Sequence, residues 1–473
     1  LDLAGEYVLG NDIDASSIPN FDPIGDAVTK FTGTFDGQGH TITGLTINRP
    51  EEDYVGLFGY PFSTTIQNVH LENTNVTGKD YVGSIAGYAE FGNVINCSNA
   101  GNVAGNDYVG GIVGRGYNTI SGCNNTSSVS GNYNTGGIAG SATVISDCYN
   151  AGAITGANTF TGGIAGEGAI MMEYCYNTGT ISGVLLAGGI IGYPNGPISY
   201  CYNTGAISGT ESIGGIAGTV FSSDVSNCYN TGGVSGTTHI GGVVGSMVNE
   251  GRIVDCYSTG TVTGGSSIGG LAGYLTSGNI IDFSYSTGFV SGSGDNIGGL
   301  VGAYTGSNIF HSYWNMETSG QTTSAGGEGK TTAEMTVSST YSFWYFGTVW
   351  GMACEGSSYP YLLALPPDPI MNPVNVVINQ GAGQADPTDI PLIIFDVTFA
   401  VPAPGFDNGD VDFTGSTALI ADAVVTNAGD DMHYTVAVTP STEGMIVAAI
   451  PPGVLDLCGI ATNTASTLSL IHI

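Results

Sequence analysis

The chain has 473 residues, 78 of them glycine, yet 41% are hydrophobic and the mean hydropathy is positive. So much apolar surface excludes a polar disordered chain, and the glycines follow no three-residue period, which excludes collagen. With 39 acidic and 6 basic side chains the net charge is −33, too few cations to neutralise nucleic-acid phosphates or to dock on anionic lipid. No apolar run is long enough to span a membrane, so no membrane insertion is expected here. The chain opens at Leu1-Asp2-Leu3 without an initiator Met and reads as a fragment of a longer exported protein.

Residues 1–50 form an opening segment in which short β-branched runs alternate with glycine. From 51 to 315 one phrase recurs: Gly-Gly-Ile-Val-Gly at 110–114, Gly-Gly-Ile-Ala-Gly at 136–140, 162–166 and 214–218, Gly-Gly-Ile-Ile-Gly at 188–192. It continues at 241–245, 269–273 and 298–302, with weaker copies at 56–59 and 83–87, giving ten in all. Their final glycines step by 26 to 29 residues. A second phrase, Cys-Tyr-Asn-Thr-Gly-x-Ile-Ser-Gly as at 201–209, keeps step with it. Its leading slot holds Val69, Cys97, Cys123, Cys148, Cys175, Cys201, Cys228, Cys256, Ser284 and Ser312.

No 3.6-residue apolar period survives, so helices are not expected. Short strands broken by turns at a fixed period describe an all-β, right-handed parallel β-solenoid of about ten coils. Equal positions on successive coils stack about 4.8 Å apart, so ten coils give a rod of roughly 50 Å. The Ile/Val columns (Ile112, Ile138, Ile164, Ile190 and Ile216; Ile154, Ile181 and Ile207) should fill the interior. The glycine columns should serve corners with positive φ, and the Asn column (Asn99 to Asn230) should hydrogen-bond along the axis.

These phrases resemble the Glug-motif repeats of bacterial surface and adhesin proteins, named for their Gly-Leu/Ile-x-Gly core. Residues 7–14 and 35–45 look like the usual start of such an array. Tyr313-Trp314-Asn315, residues 318–321, residues 327–335, Trp350 and residues 359–362 look like its closing segment (316–365). The resemblance implies architecture more than function, since such arrays are carried by many exported proteins.

A proline-rich linker follows at 366–373. Beyond it alternating strands at 374–378, 393–399, 434–438 and 445–450 suggest a small Ig-like β-sandwich over 374–473. Residues 380–388, 397–399, 405–411 and 450–459 resemble bacterial Ig-like repeats of large adhesins. Ile460 stands where that family has Asn, and the last strand reads as replaced or cut off, so the domain is expected to be truncated.

No residue earns a catalytic, cofactor-binding or metal-binding role. Lys330 lacks the Gly five places before its Gly-Lys pair that a phosphate loop needs, with Ser324 there instead. The stacked cysteines show neither Cys-x-x-Cys spacing nor a recurring His, and parallel side chains suit buried free thiols better than disulfides. The six histidines are isolated, His40 reading as structural. Residues 407–412 break the calcium-loop pattern and read as an acidic turn. The Tyr column from Tyr149 to Tyr313 could stack on sugars or stiffen the coil, and stiffening is the favoured reading.

The function expected is therefore a non-enzymatic extracellular or cell-surface fragment, an adhesin or stalk, whose solenoid is a rigid rod or binding scaffold. Its expected partner is a host or environmental glycan or protein ligand. The alternative is a β-helical polysaccharide lyase or glycoside hydrolase, which needs paired carboxylates or a cationic base. The acids beside the slot, Asp147 and Asp255, are four coils apart, and Arg115 and Arg252 five, with no recurring acids beside them. An ice-binding rod would need a Thr-x-Thr face, whereas the column Thr178, Thr204, Thr231, Thr259 and Thr287 offers one Thr per coil.

Overall fold

A computed structural model describes residues 2–365 except 354 and 357, then 376–381, 384, 386, 392–399, 406–429, 433–451, 456–457, 461–462 and 469–472. The expected linker at 366–373 and most of the phrase at 452–460 lie outside the described residues. The chain divides into two compact units, Leu1–Met335 with Thr340–Trp344, and Thr336–Ser339 with Tyr345–Ile473.

The first unit is a parallel β-solenoid of about eleven turns. The opening segment adds to the ten phrase-bearing coils because its own strands join the stacks. Glu6–Val8 pairs in parallel with Thr34–Asp36, and that strand with Thr65–Gln67. His40 helps tie this end, its Nδ1 lying 3.1 Å from Asp12 Oδ1 one coil earlier.

Each coil crosses three stacks. One carries the residues after the glycine phrase, from Ala86–Ile95 through Val113–Ser121 to Val301–Tyr304. A second carries the Tyr-Asn and Ile-Ser pairs, Tyr149 registering with Tyr176, Tyr202, Tyr229, Tyr257, Tyr285 and Tyr313. The third leads into the phrase, Gly110 registering with Gly136, Gly162, Gly188, Gly214, Gly241, Gly269 and Gly298. Both isoleucine columns are buried as expected, with Ile112, Ile138, Ile164, Ile190 and Ile216 fully inside.

The glycine columns depart from expectation. The phrase glycines do not adopt positive φ; the left-handed corners fall on other residues. One corner column runs Tyr54, Tyr81, Tyr108, Asn134, Phe160, Leu186, Ser212, His239, Ser267 and Asn296. Another, just before the cysteine slot, includes Asn68, Asn96, Asp147, Tyr174, Tyr200, Asn227, Asp255, Phe283 and His311. The glycines are required instead by close approach. A Cβ on Gly163 or Gly189 would lie 2.5 Å from Cγ of Asn177 or Asn203 and collide with the next coil's carbonyl. Backbone packs directly on backbone at the phrase, and only hydrogen fits there.

The array closes with Met316–Ser319, N-capped by Asn315, and with Glu328–Lys330 added in parallel to Tyr313–Asn315. Lys330 therefore sits in a strand, its Nζ 2.6 Å from Glu328 Oε1. Tyr341 and Trp344 pack against Tyr313, 5.4 and 6.3 Å between ring centroids.

The second unit holds a four-stranded antiparallel sheet in the order Val376–Gln380, Ile393–Phe399, His433–Pro440, Ile420–Asn427. Alternate residues such as Ile378, Phe395, Val397 and Val436 are buried together with Ile446 and Ile471. Ile471 belongs to Ser469–His472, which pairs antiparallel with Met445–Ala448. Asp407 accepts from the Gly409 amide at 2.7 Å, and Asp410 from the Asp407 amide at 2.9 Å. These carboxylates cap the Asn408–Asp410 turn.

Candidate functional site

Three interior or half-interior columns hold the coils together. Asn99, Asn125, Asn150, Asn177, Asn203 and Asn230 are buried, and each amide from Asn99 to Asn203 donates to the next coil's Asn at 2.7 to 3.0 Å. The same amides donate to a carbonyl two residues on, as from Asn177 to Gly179 at 2.8 Å.

The seven described column cysteines are free and buried. Each thiol donates to the carbonyl two residues back, as from Cys148 to Ser146. Several accept a backbone N–H from the coil before, Cys201 N to Cys228 Sγ at 3.4 Å being one. Ser284 and Ser312 repeat both bonds. The slot therefore holds a small group that donates and accepts, apart from Val69, rather than one chosen for size alone. Burial pushes the Cys175, Cys201 and Cys228 thiols well up, which keeps them protonated and unreactive.

The Tyr column is a face-to-face stack, 4.9 to 5.1 Å between centroids from Tyr149 to Tyr285, with interplanar angles of 1 to 9°. Each ring face is covered by the next ring, and Tyr229, Tyr257 and Tyr285 are buried. Rings whose faces are already used cannot stack on sugar, so the geometry fits stiffening. Burial raises Tyr202 to about 12.

A different arrangement occupies the surface beside the glycine phrase. The left-handed corner lies two residues before it, and a second column directly follows its last Gly: Tyr60, Tyr88, Arg115, Ser141, Glu167, Tyr193, Thr219, Ser246, Tyr274 and Ala303. Neither column belongs to the apolar core. From Ser212 onward both carry mostly Ser, Thr, Asn or Ala, His239 stacking on Tyr274 being the exception. Because the coils share one backbone, these later coils are an internal control. The fold does not need Tyr, Arg or Glu at these positions, yet the early coils have them.

There Tyr54, Tyr81 and Tyr108 stack at 5.1 Å, held on corners with φ of 64°, 58° and 54°. Tyr88 meets Tyr54 and Tyr81 edge-on at 6.0 and 5.5 Å. The Arg115 guanidinium lies 4.6 Å from the Tyr108 ring centroid and 5.2 Å from that of Tyr117. Its Nη2 donates to the Tyr117 hydroxyl at 2.7 Å. At the N-terminal end Lys30 covers the Tyr60 and Phe62 rings at 4.2 and 4.4 Å and pairs with Glu90 at 2.9 Å. Tyr60 also donates to Glu90, and the two donors hold that carboxyl below its usual range.

Glu167 shares Arg115's column, separated from it by Ser141. It is a single acid, not a recurring one, since Ser141 and Tyr193 hold the neighbouring positions. Burial raises the Glu167 carboxyl, while Arg115 and hydrogen bonds from Tyr108 and Asn134 pull it back. The Asn134 bond is 2.9 Å. Asp147 and Asp255 instead occupy left-handed corners, and Arg252 is exposed away from this cluster. This face was not singled out from the sequence; the Asp-Tyr-Val-Gly runs at 53–56, 80–83 and 107–110 are the signal from which it could be found.

Residues 236–263 match the GLUG motif. That GLUG stretch covers one turn, from just before Thr238–Gly241 into Val262–Gly264. Halomucin of Haloquadratum walsbyi is 43% identical over 93 residues, 17% of this chain and 1% of that protein. A protein described as a Gly-rich membrane protein, from Evansella cellulosilytica, is 37% identical over 81 residues, 16% of this chain and 9% of its own. The chain thus spans a small part of the curated relatives it matches. No solved structure matches it. The GLUG turn and these relatives suggest a surface protein.

Proposed function

We propose that this chain is a non-enzymatic extracellular segment, an adhesin or stalk, in which the solenoid is a rigid rod and the tyrosine-rich face of its early coils binds a glycan or protein ligand. The observation that carries the rod is the continuous register of the Asn and Tyr columns, which tie the coils from Asn99 to Tyr285 to one another by hydrogen bonds and ring stacking. The GLUG match and the names of the relatives support a surface location. On the same reading the coil is right-handed, as parallel crossovers overwhelmingly are. The antiparallel sheet over 376–440, with the 445–448 and 469–472 strands, is an Ig-like module continuing a string of domains.

The half-buried Glu167 beside Arg115 and tyrosines gives the polysaccharide-cleaving alternative its one supporting feature. A glycan array combined with a reducing-sugar release assay on acidic polysaccharides tests both readings. Binding without released reducing ends is the expected result. Release of reducing ends would replace the rod reading with an enzyme. Protease accessibility on intact cells tests the location.

A further inference from the structure

Among the described residues, Lys30, Arg49, Lys79 and Lys330 are each within ion-pair distance of a carboxylate. Arg115 is not, although the chain has 39 acidic side chains to offer. Nor is it loosely solvated like Arg252. Its side chain is half-buried between the Tyr108 and Tyr117 rings and bonded to the Tyr117 hydroxyl. The nearest acid of its column, Glu167, is engaged by Asn134 and Tyr108. A guanidinium fixed by two ring walls, partly dehydrated and still carrying unused N–H groups, is pre-organised to take a carboxylate or sulfate through two parallel hydrogen bonds.

The surroundings narrow the ligand further. Tyr117 is 47% exposed and offers apolar ring surface beside the cation. The Tyr117 and Tyr81 hydroxyls, which accept from Arg115 and keep their own O–H to donate, and the Tyr88 hydroxyl add polar partners within the same few coils. Ring surface, hydroxyl partners and one anion-binding fork together match a pyranose ring that carries an acidic substituent.

Resting on the surface-binding reading above, we infer that Arg115, walled by Tyr108 and Tyr117, is the recognition point for the carboxylate or sulfate of an acidic saccharide. The positional control supports it. Ser141 and Ser246 stand at the same place on other coils, so the backbone accepts Ser there without an Arg.

The test uses the full chain in calorimetric titrations at an ionic strength that screens its own negative field. The probes are oligogalacturonate, chondroitin sulfate oligosaccharide and neutral cello-oligosaccharide. The expected result is binding of an acidic probe over the neutral one, the carboxylate and sulfate arms showing which group is taken. Arg115→Ser should weaken that binding about 10- to 100-fold, the range for losing charge-assisted hydrogen bonds. Arg115→Lys should not restore it, since an ammonium cannot fork, and Arg252→Ser should leave it unchanged. Equal binding by Arg115→Ser, preference for the neutral probe, or no binding of either acidic probe overturns the inference. Each of those results leaves the surface location to the intact-cell assay. Released reducing ends would instead overturn the non-enzymatic reading, with Arg115 still judged by its variants.

Discussion

The Asn column gives the sharpest test of coil-to-coil coupling. Asn177 is fully buried, and it accepts from Asn150 at 2.7 Å, donates to Asn203 at 2.7 Å and donates to Gly179 O at 2.8 Å. Asn177→Ala removes three hydrogen bonds worth about 1 kcal/mol each and strands the buried Asn203 oxygen, a further penalty of about 1–3 kcal/mol. The expected loss is about 4–6 kcal/mol. Asn230→Ser, at the end of the column where Ser258 and Ser286 take over, gives up two bonds and should lose about 2 kcal/mol. A solenoid need not unfold in one step, so the assay is coil-resolved amide hydrogen exchange alongside urea denaturation. Exchange should quicken first in the coils around residue 177. A loss below about 1 kcal/mol, or faster exchange spread evenly along the array, would refute the axial ladder as the source of coupling.

Ile190→Asp places an unpaired charge in the fully buried column and should cost several kcal/mol, about 3 or more; a parental melting curve would show the register to be wrong. Gly189→Ala should lose about 1–3 kcal/mol through overpacking against Asn203 and Gly215, whereas Tyr200→Gly at a left-handed corner should be far milder, and thermal melts compare the two. Cys148, Cys175, Cys201 and Cys228 should resist thiol labelling until unfolding, then all react without reductant, and changing the four to Ser should cost little because Ser284 and Ser312 already make the slot's hydrogen bonds. Asp36 accepts from Asn68, Gln67 and the Gln38 amide, which hold its carboxyl below the ordinary 3.8. A depressed folded value means stabilisation present above about pH 4 and lost as the pH falls further. Acid titration of Asp36→Asn should therefore show a shallower decline at low pH than the parent, and an identical profile would count against the assignment.

Much of the solenoid is legible in the sequence because a period of 26 to 29 residues puts equivalent side chains in one column, whatever the path between them. The buried Ile columns, the Asn ladder and the cysteine slot follow from that period alone, since stacking makes every coil repeat its neighbour's contacts. The glycine phrase is legible as a position but not as a cause. Sequence cannot separate a glycine needed for positive φ from one needed for backbone contact, and here Tyr, Asn, Asp and Phe take the left-handed corners. In the second unit Ile420–Asn427 escaped notice because it lies at the sheet edge, where its mostly exposed residues show no clear alternation. The meeting of Arg115, Glu167, Tyr108 and Tyr117 was equally hidden. Arg115 and Glu167 lie 52 positions apart in the chain (167 less 115), and only the winding of two further coils brings them into one column. A repeat fixes which positions stack, but the few side chains that break it find their neighbours only once the coil has closed.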